Sequence, residues 1–337
     1  MYVPVAIQWL LLAARYRSLS LPLIANPGVP LSGMVGVSKS AVFDLAGDYA
    51  RQWILPWILV EVEDQSLQRQ CQMAKQALTA AGLEYPLVGK PNMGCRGVGV
   101  RLLKDDAELA DYLQGFPAGG CIQFQKLSQW DAEAGVFYVR DPEKATGEVT
   151  SLTLKYTPFV VGDGERQLGE LVAADARAGE LLHLYRSRHV ARWHDVIPRG
   201  EPYRLVFAAS HSRGAIFRDA GELISQKLSQ SLDKIFEDIP GFYYGRLDVK
   251  FKNIECLSAG LEFNIIEING ASSESINIWD RNAGLITAIN TLLQQYHTLF
   301  KLGSISRKRG VRPPGLMALY RAWRFENNLV KQYPPND

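Results

Sequence analysis

The stretch from Lys90 to Val100, KPNMGCRGVGV, places three glycines between two short apolar runs. A glycine-rich loop between strands can turn its backbone N–H groups onto phosphate oxygens. The spacing G-x-x-G-x-G differs from the dinucleotide pattern G-x-G-x-x-G, whose loop opens a helix directly, and no P-loop motif occurs. An ordinary turn is the alternative for such a loop taken alone. The residues of the predicted phosphate-binding lid are Gly94, Arg96, Gly97 and Gly99.

Two short polar pairs lie far downstream, each among apolar residues. Arg246 and Asp248 are two residues apart, and so are Glu267 and Asn269. Side chains two apart on a strand point to the same face, so each pair presents its groups together. Glu267 interrupts the apolar run 265–268, where a lone carboxylate is costly unless it is paired or bound to a metal.

Two carboxylates and an amide oxygen are hard ligands of the kind that Mg²⁺ binds beside a nucleotide. We predict Asp248, Glu267 and Asn269 as metal ligands, with Mn²⁺ as an alternative ion. Arg246 would neutralise charge on a transferring phosphoryl group. An ordinary surface salt bridge is the alternative for either pair alone. Together with the lid, the two pairs predict an ATP site with a catalytic metal.

Two lysines and a serine-rich loop extend the predicted site. Lys90 and Lys155 each end a β-rich run and can reach a phosphate as a point charge. The alternative for each is a strand-end lysine whose stem packs and whose ammonium stays in water. Arg213 and Ser273 are candidates for contacts with an anionic acyl substrate, with a structural or solvated role as the alternative.

The bulk composition limits the classes of partner. The chain has 337 residues and a net charge of +2, so there is no global case for a nucleic acid or a membrane. The four cysteines contain no C-x-x-C, which is typical of reduced thiols in a cytoplasmic protein. The apolar run 3–14 is too short to span a bilayer and lacks the basic start of a signal peptide. We expect a helix packed on a core.

The hydrophobic pattern predicts an α/β (α+β) fold. Residues 1–82 form a small N-terminal α/β domain, with a strand at 21–25 and a helix over 39–50. Residues 83–300 follow with strand, loop, strand, helix and strand, which predicts an α+β layer. Residues 301–337 form a basic C-terminal segment with eight Lys or Arg and two Asp or Glu. We expect its helix to be a solvated tail, with an anionic carrier substrate as the alternative partner.

These motifs resemble the ATP-grasp superfamily, in particular the D-alanine–D-alanine ligase-like carboxylate–amine ligases. The resemblance covers residues 83–290. The turns at Asn26-Pro27-Gly28 and Ser38-Lys39 do not match the substrate loops of those ligases. The motifs that carry the resemblance are the lysine strand 85–91, the lid 94–99, the turn Val161-Gly-Asp-Gly-Glu-Arg, Arg246-Leu-Asp248 and Glu267-Ile-Asn269.

The resemblance implies an ATP-grasp fold with a hinge at 121–127 and an ATP-dependent ligase that joins a small carboxylate to an amine. The amide would form through an acyl phosphate, with release of ADP and phosphate. Lys90 and Lys155 would contact ATP phosphates, Glu133 the ribose, and the three metal ligands two Mg²⁺ ions. A homodimer is compatible with the resemblance. The alternatives are a non-catalytic ATP-binding module and an ATP-dependent small-molecule phosphotransferase. The hinge residues that would meet adenine are Gln123, Gln125, Lys126 and Leu127.

Overall fold

The structure is a computed structural model that describes residues 1–94 and 97–334. The helices are α1 (Tyr2–Tyr16), α2 (Ser40–Leu45), α3 (Asp48–Arg51), α4 (Leu67–Ala80), α5 (Asp106–Gln114), α6 (Leu168–Ala174), α7 (Leu182–Arg188), α8 (Gln226–Glu237), α9 (Ile254–Ser258), α10 (Leu285–Lys308) and α11 (Leu316–Val330). The strands are β1 (Trp57–Glu61), β2 (Leu87–Pro91), β3 (Arg101–Leu103), β4 (Cys121–Lys126), β5 (Ala132–Val139), β6 (Glu148–Tyr156), β7 (Phe159–Val161), β8 (Pro202–Arg204), β9 (Ile216–Asp219), β10 (Tyr244–Phe251) and β11 (Phe263–Asn269).

A four-stranded antiparallel sheet in the order β1-β4-β2-β3 forms the smaller layer. Helices α4 and α5 cover one of its faces, where Leu78, Leu109 and Phe124 are buried together. Because successive side chains on a strand alternate between faces, Lys90 on β2 and Gln125 on β4 point away from this core. The smaller sheet therefore presents a polar face on the side opposite its helices.

A five-stranded antiparallel sheet in the order β11-β10-β5-β6-β9 forms the larger layer. Helix α8 buries Leu228, Leu232 and Phe236 against one face. The other face is covered only in part, where Leu299 of α10 packs with Tyr244. The remaining part of that face carries the charged residues of β5, β6, β10 and β11.

The N-terminal residues join both layers. Strand β1 pairs with β4, and Ile54 forms a bridge with Ile265 of β11. Val29, Val42 and Phe43 lie in the same core as the larger sheet. The predicted boundary near residue 82 thus falls inside the smaller sheet, and the division into domains stays a prediction.

Two local predictions are corrected. Residues 21–25 are not a strand, because Leu21–Ile24 is a buried 3₁₀ turn that packs closely on α10 at Gly303. The predicted helix over 39–50 is two helices separated at Gly47, where a Cβ atom would collide with the Asp238 carboxylate.

No helix among residues 1–94 and 97–334 is long and apolar enough to cross a membrane.

Candidate active site

The uncovered face of the larger sheet and the polar face of the smaller sheet line one cleft of about 1290 Å³. Lys90 and Gln125 line it from the smaller sheet, and Asp248 and Glu267 from the larger one. Further walls come from residues 33–39, from residues 204–211 and from α11. The structure therefore brings together the two groups of polar residues that are far apart in the sequence.

Lys90 connects the two sheets. Its ammonium donates to Gln125 Oε1 at 2.8 Å and to the carbonyl oxygen of Ile266 at 2.9 Å. Burial lowers the pKa of Lys90 to about 8, against the opposing attraction of the Glu267 carboxylate. The charge of Lys90 is therefore easily lost when no anion is bound beside it.

If the cleft binds ATP, as the sequence predicts, this lowered pKa makes that binding depend on pH. The neutral amine of Lys90 does not attract phosphate, so we expect ATP affinity to fall as the pH rises through about 8. The fall should reach up to roughly tenfold per pH unit, because binding then requires the uptake of one proton. Titration calorimetry with ATP across this range measures it. Lys90→Arg is the control, since its guanidinium stays protonated, and a flat profile in the wild type would contradict the prediction.

Lys155 lies between two buried carboxylates. Its Nζ atom is 3.0 Å from Glu133 Oε1 and 2.9 Å from Asp248 Oδ1. Arg246 Nε lies 2.9 Å from Asp248 Oδ1, and Lys250 Nζ lies 3.0 Å from Glu133 Oε2. Three cations thus surround two carboxylates, which leaves one positive charge in excess. This excess suits an anionic ligand.

The same pairing shifts the pKa values of the network. Burial alone would raise the pKa of Asp248, but Arg246 and Lys155 lower it to about 2. Burial would also lower the pKa of Lys155, yet the carboxylates of Asp248 and Glu133 raise it. Asp248, Lys155 and Arg246 are therefore all charged near neutral pH.

The strand register explains why these side chains meet. Asp248 of β10 is the register partner of Glu267 on β11 and of Gly135 on β5. A Cβ atom at Gly135 would lie 2.7 Å from Ile276 Cδ1 and 3.3 Å from Arg246 Cδ. Because Gly135 has no side chain, Arg246 has room to lie across β5 and reach Asp248.

The predicted metal ligands fit Mg²⁺. Asp248 and Glu267 are register partners, so their Cα atoms are about 4.5–5.5 Å apart. Asn269 also lines the cleft, where its side-chain oxygen would be the metal ligand; its buried Nδ2, a donor that cannot bind the metal, has no hydrogen-bond partner within the described ranges. Lys39 Nζ lies 3.7 Å from Glu267 Oε1, so the metal would replace part of an existing ion pair. Clusters of three or more His, Cys, Asp or Glu suited to a metal are absent from the described residues, and the predicted set has two carboxylates and an amide.

The glycine-rich lid is held through its carbonyl groups. Gly94, Gly97 and Gly99 have φ angles of 144°, 69° and 71°, which favour glycine. Tyr112 donates to Gly99 O at 2.6 Å, and Arg213 donates to Gly97 O at 3.2 Å. Gly94 and Gly97 line the cleft, whereas Arg96 lies outside the described residues.

Most of the other predicted site residues also line the cleft, namely Gln125, Lys126, Leu127, Glu133, Lys155 and Ser273. Gln123 is not part of the described lining; its side chain is buried, without a hydrogen-bond partner in the described part of the chain. Arg213 is likewise not part of that lining and holds the lid instead. The Ser273 hydroxyl donates to Gly270 O, so it supports its own loop. Contacts of Arg213 and Ser273 with a substrate stay predictions.

Lys39 belongs to the site although the sequence analysis gave its turn no role. Its ammonium donates to Gly94 O and approaches Glu267. It therefore ties the lid to the predicted metal ligands. A lysine three residues after Gly36 was the available signal, but nothing local shows that this turn meets β11.

The turn at Asn26 has a structural role. Asn26 is buried and donates to Tyr244 O at 2.8 Å, while its Oδ1 accepts from the backbone N–H groups of Tyr243 and Tyr244. These bonds fix the start of β10. The strand that carries Arg246 and Asp248 is thereby held in place.

Helix α11 forms a wall of the cleft, which differs from the expected solvated tail. Glu326 accepts from Gly36 N at 2.7 Å, and a Cβ atom at Gly36 would lie 2.9 Å from Ala322. Leu316 and Phe325 of this helix are 50% and 56% exposed. The helix residues that line the cleft are Trp323, Glu326, Asn327 and Val330.

No protein-family model matches the sequence, and no curated protein matches it. Among solved structures, the chain is similar to a bifunctional glutathione synthetase from Pasteurella multocida, with 16% identity over 83% of this chain and 38% of that chain, at a TM-score of 0.39. It is also similar to the D-alanine–D-alanine ligase from Bacillus anthracis, which has been solved with ATP, with 13% identity over 84% of this chain and 72% of that chain, at a TM-score of 0.45. It is similar as well to the D-alanine–D-alanine ligase from Coxiella burnetii, with 9% identity over 89% of this chain and 64% of that chain, at a TM-score of 0.41.

This chain thus spans little more than a third of the glutathione synthetase. Because every one of these TM-scores lies below 0.5, neither the reaction nor the substrates of these enzymes follow for this chain. The α+β fold class predicted from the sequence is confirmed by the two antiparallel sheets and their helices. The predicted resemblance to D-alanine–D-alanine ligases is confirmed as a likeness of structure.

Proposed function

We propose that this chain is an ATP-dependent carboxylate–amine ligase that forms an amide and releases ADP and phosphate. The observation that carries the proposal is the meeting of Lys90, Lys155, Arg246, Asp248 and Glu267 in one cleft below a glycine-rich lid. The excess of positive charge suits a triphosphate, and the paired carboxylates suit the metal that accompanies it. A non-catalytic module would have no need to keep the phosphate-binding cations in contact with the metal-binding carboxylates.

The chemistry divides into two displacements. An oxygen of the substrate carboxylate attacks the γ-phosphorus of ATP, the bond from that phosphorus to the bridging oxygen breaks, and ADP leaves with both electrons. The amine then attacks the acyl carbon, phosphate leaves, and the nitrogen loses a proton. No side-chain nucleophile is required, so the protein acts by positioning and by charge stabilisation.

The residues of this chain have distinct tasks in that scheme. Lys90 and Lys155 hold phosphate oxygens, and Arg246 stabilises the negative charge of the pentacoordinate phosphorus as the acyl phosphate forms. Asp248, Glu267 and Asn269 would hold Mg²⁺, which would neutralise part of the negative charge of the phosphate groups. The lid and α11 exclude water, which would hydrolyse the acyl phosphate.

Product analysis tests the proposal. With a panel of small carboxylates and amines, ADP should form only when both an acid and an amine are present, and an amide should appear in equal amount. A stable phosphate ester would identify a phosphotransferase instead. ATP binding without any turnover across the panel would favour a non-catalytic module.

Mobility of the lid is a second expected property. Gly97 has a φ of 69°, and a Cβ atom there would lie 3.3 Å from Arg213 Nη1. We expect Gly97→Val to raise the KM for ATP and to lower kcat together, because the strained loop cannot close on phosphates. Steady-state kinetics measure both values. Gly119→Val is the matched control, since Gly119 also has a positive φ but lies on an open surface turn; equal kinetic effects of the two changes would remove the lid from the site.

Because α11 forms a wall of the cleft, we expect a change on this helix to weaken binding of the acid or the amine. Trp323 lines the cleft beside the loop at Gly36, so Trp323→Ala should raise the KM of the acid or the amine by roughly tenfold through lost apolar contact. The KM for ATP should change little. Phe325→Ala on the same helix is the control, because Phe325 is exposed and is not among the described lining residues. A change confined to the KM for ATP would place Trp323 at the nucleotide instead.

A further inference from the structure

Helix α1 is apolar on both of its long faces, although only one face is buried. Val5 and Leu12 pack on α10 and its neighbours. On the opposite side the exposed fractions of Val3, Ile7, Leu10 and Leu11 are 71%, 56%, 63% and 67%. Their spacing of three and four residues places these side chains in one stripe along the helix.

The first turn of α10, the helix on which α1 packs, also exposes large apolar side chains. Leu285 and Ile286 are 65% and 75% exposed, and Val5 packs with Ala288 and Leu292 just beyond them. Large apolar side chains grouped in this way mark an interaction surface. We call this surface the α1 face, and its residues are Val3, Ile7, Leu10, Leu11, Leu285 and Ile286.

The segments that build this surface carry only positive charge. Helix α1 contains Arg15, helix α10 contains Lys301, Arg307 and Lys308, and neither helix contains Asp or Glu. The near-neutral charge of the whole chain conceals this asymmetry. An acidic neighbour of α10, Asp141, is already paired with Lys301 at 2.7 Å.

Several of these cations lie at the carboxyl end of the stripe. Arg307 donates to Tyr16 O at 2.8 Å, and Val311 packs in the cluster that contains Leu12. The segment 307–312 therefore lies beside the last turn of α1. The exposed cations at this end are Arg15, Arg17, Lys308, Arg309 and Arg312.

We propose that the α1 face docks on the surface of an anionic phospholipid bilayer. A helix of 15 residues is about 22 Å long and can lie in the plane of the headgroups without spanning. Its apolar stripe would enter the boundary between headgroups and acyl chains, and the basic end would meet lipid phosphates. Tyr2 of α1 donates to Glu274 at 2.9 Å and lines the cleft, so docking holds the cleft at the lipid surface.

Two other occupants fit the surface less well. A second copy packed symmetrically on the α1 face would bring two acid-free, basic surfaces together, so like charges would meet without acidic partners. A nucleic acid would match the basic end, but it stacks on aromatic rings rather than on a stripe of Val, Ile and Leu. An anionic bilayer complements both the apolar stripe and the charge.

Co-sedimentation with vesicles tests this proposal without ATP or substrates. One set of vesicles contains phosphatidylcholine alone, and the other contains phosphatidylcholine with phosphatidylglycerol. The full chain should bind the anionic set more tightly, and added salt should weaken that binding. The double variant Leu10→Gln, Leu11→Gln should lose roughly tenfold or more in affinity. Leu261→Gln is the matched control, because Leu261 is exposed elsewhere.

A second pair of variants tests the charge. The triple variant Arg15→Gln, Arg17→Gln, Lys308→Gln should lose roughly fivefold in affinity for each charge removed. Lys144→Gln, Arg186→Gln, Arg199→Gln removes three exposed cations from other surfaces and should bind as the wild type does. All these positions are exposed, so circular dichroism should show unchanged folding.

Several outcomes would overturn the proposal. They are absence of vesicle binding, vesicle binding unaffected by the change at Leu10 and Leu11, and a dimer in sedimentation velocity that this same change dissociates. Tighter binding of single-stranded nucleic acid than of anionic vesicles would overturn it as well.

Discussion

Asp248→Asn and Glu267→Gln are each expected to lower ATP-dependent turnover by roughly 10²-fold to 10³-fold. Each change removes a charged oxygen ligand from the predicted metal site while it keeps the shape of the side chain. Because Asp248 also pairs with Arg246 and Lys155, its loss frees two cations that then bind phosphate in the wrong place. Initial rates at saturating ATP, with Mg²⁺ in excess, measure the effect.

Asp233→Asn is the control for these two variants. Asp233 is also a buried carboxylate, but it accepts from Tyr138 and from Gly147 N and is not among the described residues of the cleft. Its change should affect stability more than turnover. Wild-type turnover in Glu267→Gln, with Mg²⁺ dependence unchanged, would remove Glu267 from the metal site.

Lys155→Met is expected to lower the free energy of unfolding by about 3–5 kcal/mol. The variant leaves Glu133 and Asp248 buried with one cation fewer each, at sites where their oxygens lie within 3.0 Å of Lys155. A buried carboxylate without its cation is costly, and this cost destabilises the folded state. Urea unfolding at neutral pH, followed by circular dichroism, measures the change.

A second variant isolates the cause of this loss. Glu133→Gln combined with Lys155→Met removes one carboxylate together with the cation, so part of the lost stability should return. Lys250→Met is the control, because Lys250 is more exposed than Lys155 and should cost less. A loss below about 1 kcal/mol for Lys155→Met would show that the network behaves as a surface pair does.

The local features of this fold were predictable where one short segment decides them. Asp105 accepts from the first backbone N–H groups of α5, as an N-cap should, and Gly82 ends the α4 region with a positive φ. The two polar pairs were also predictable, because alternation along a strand places Arg246 beside Asp248. Their pairing across β10 and β11 then follows from the antiparallel register.

The features that escaped prediction depend on contacts between distant segments. Lys39 reaches Glu267 and α11 reaches Gly36 across more than 200 residues of sequence, and no local pattern encodes such contacts. The 3₁₀ turn at Leu21–Ile24 has the apolar composition of a strand, but its burial on α10 determines its conformation. The ion pairs of Lys155 and Lys250 with Glu133 were unforeseen for the same reason, since the two lysines come from different strands.

Trapping with hydroxylamine tests the central claim most directly, because it needs no knowledge of the amine substrate. The protein is incubated with ATP, Mg²⁺, hydroxylamine and a panel of carboxylates, and hydroxamate, ADP and phosphate are quantified. We predict that one class of carboxylate gives hydroxamate, ADP and phosphate in equal amounts, and that Glu267→Gln abolishes all three. Formation of AMP and pyrophosphate, or of a stable phosphate ester without hydroxamate, would contradict activation of a carboxylate as its acyl phosphate.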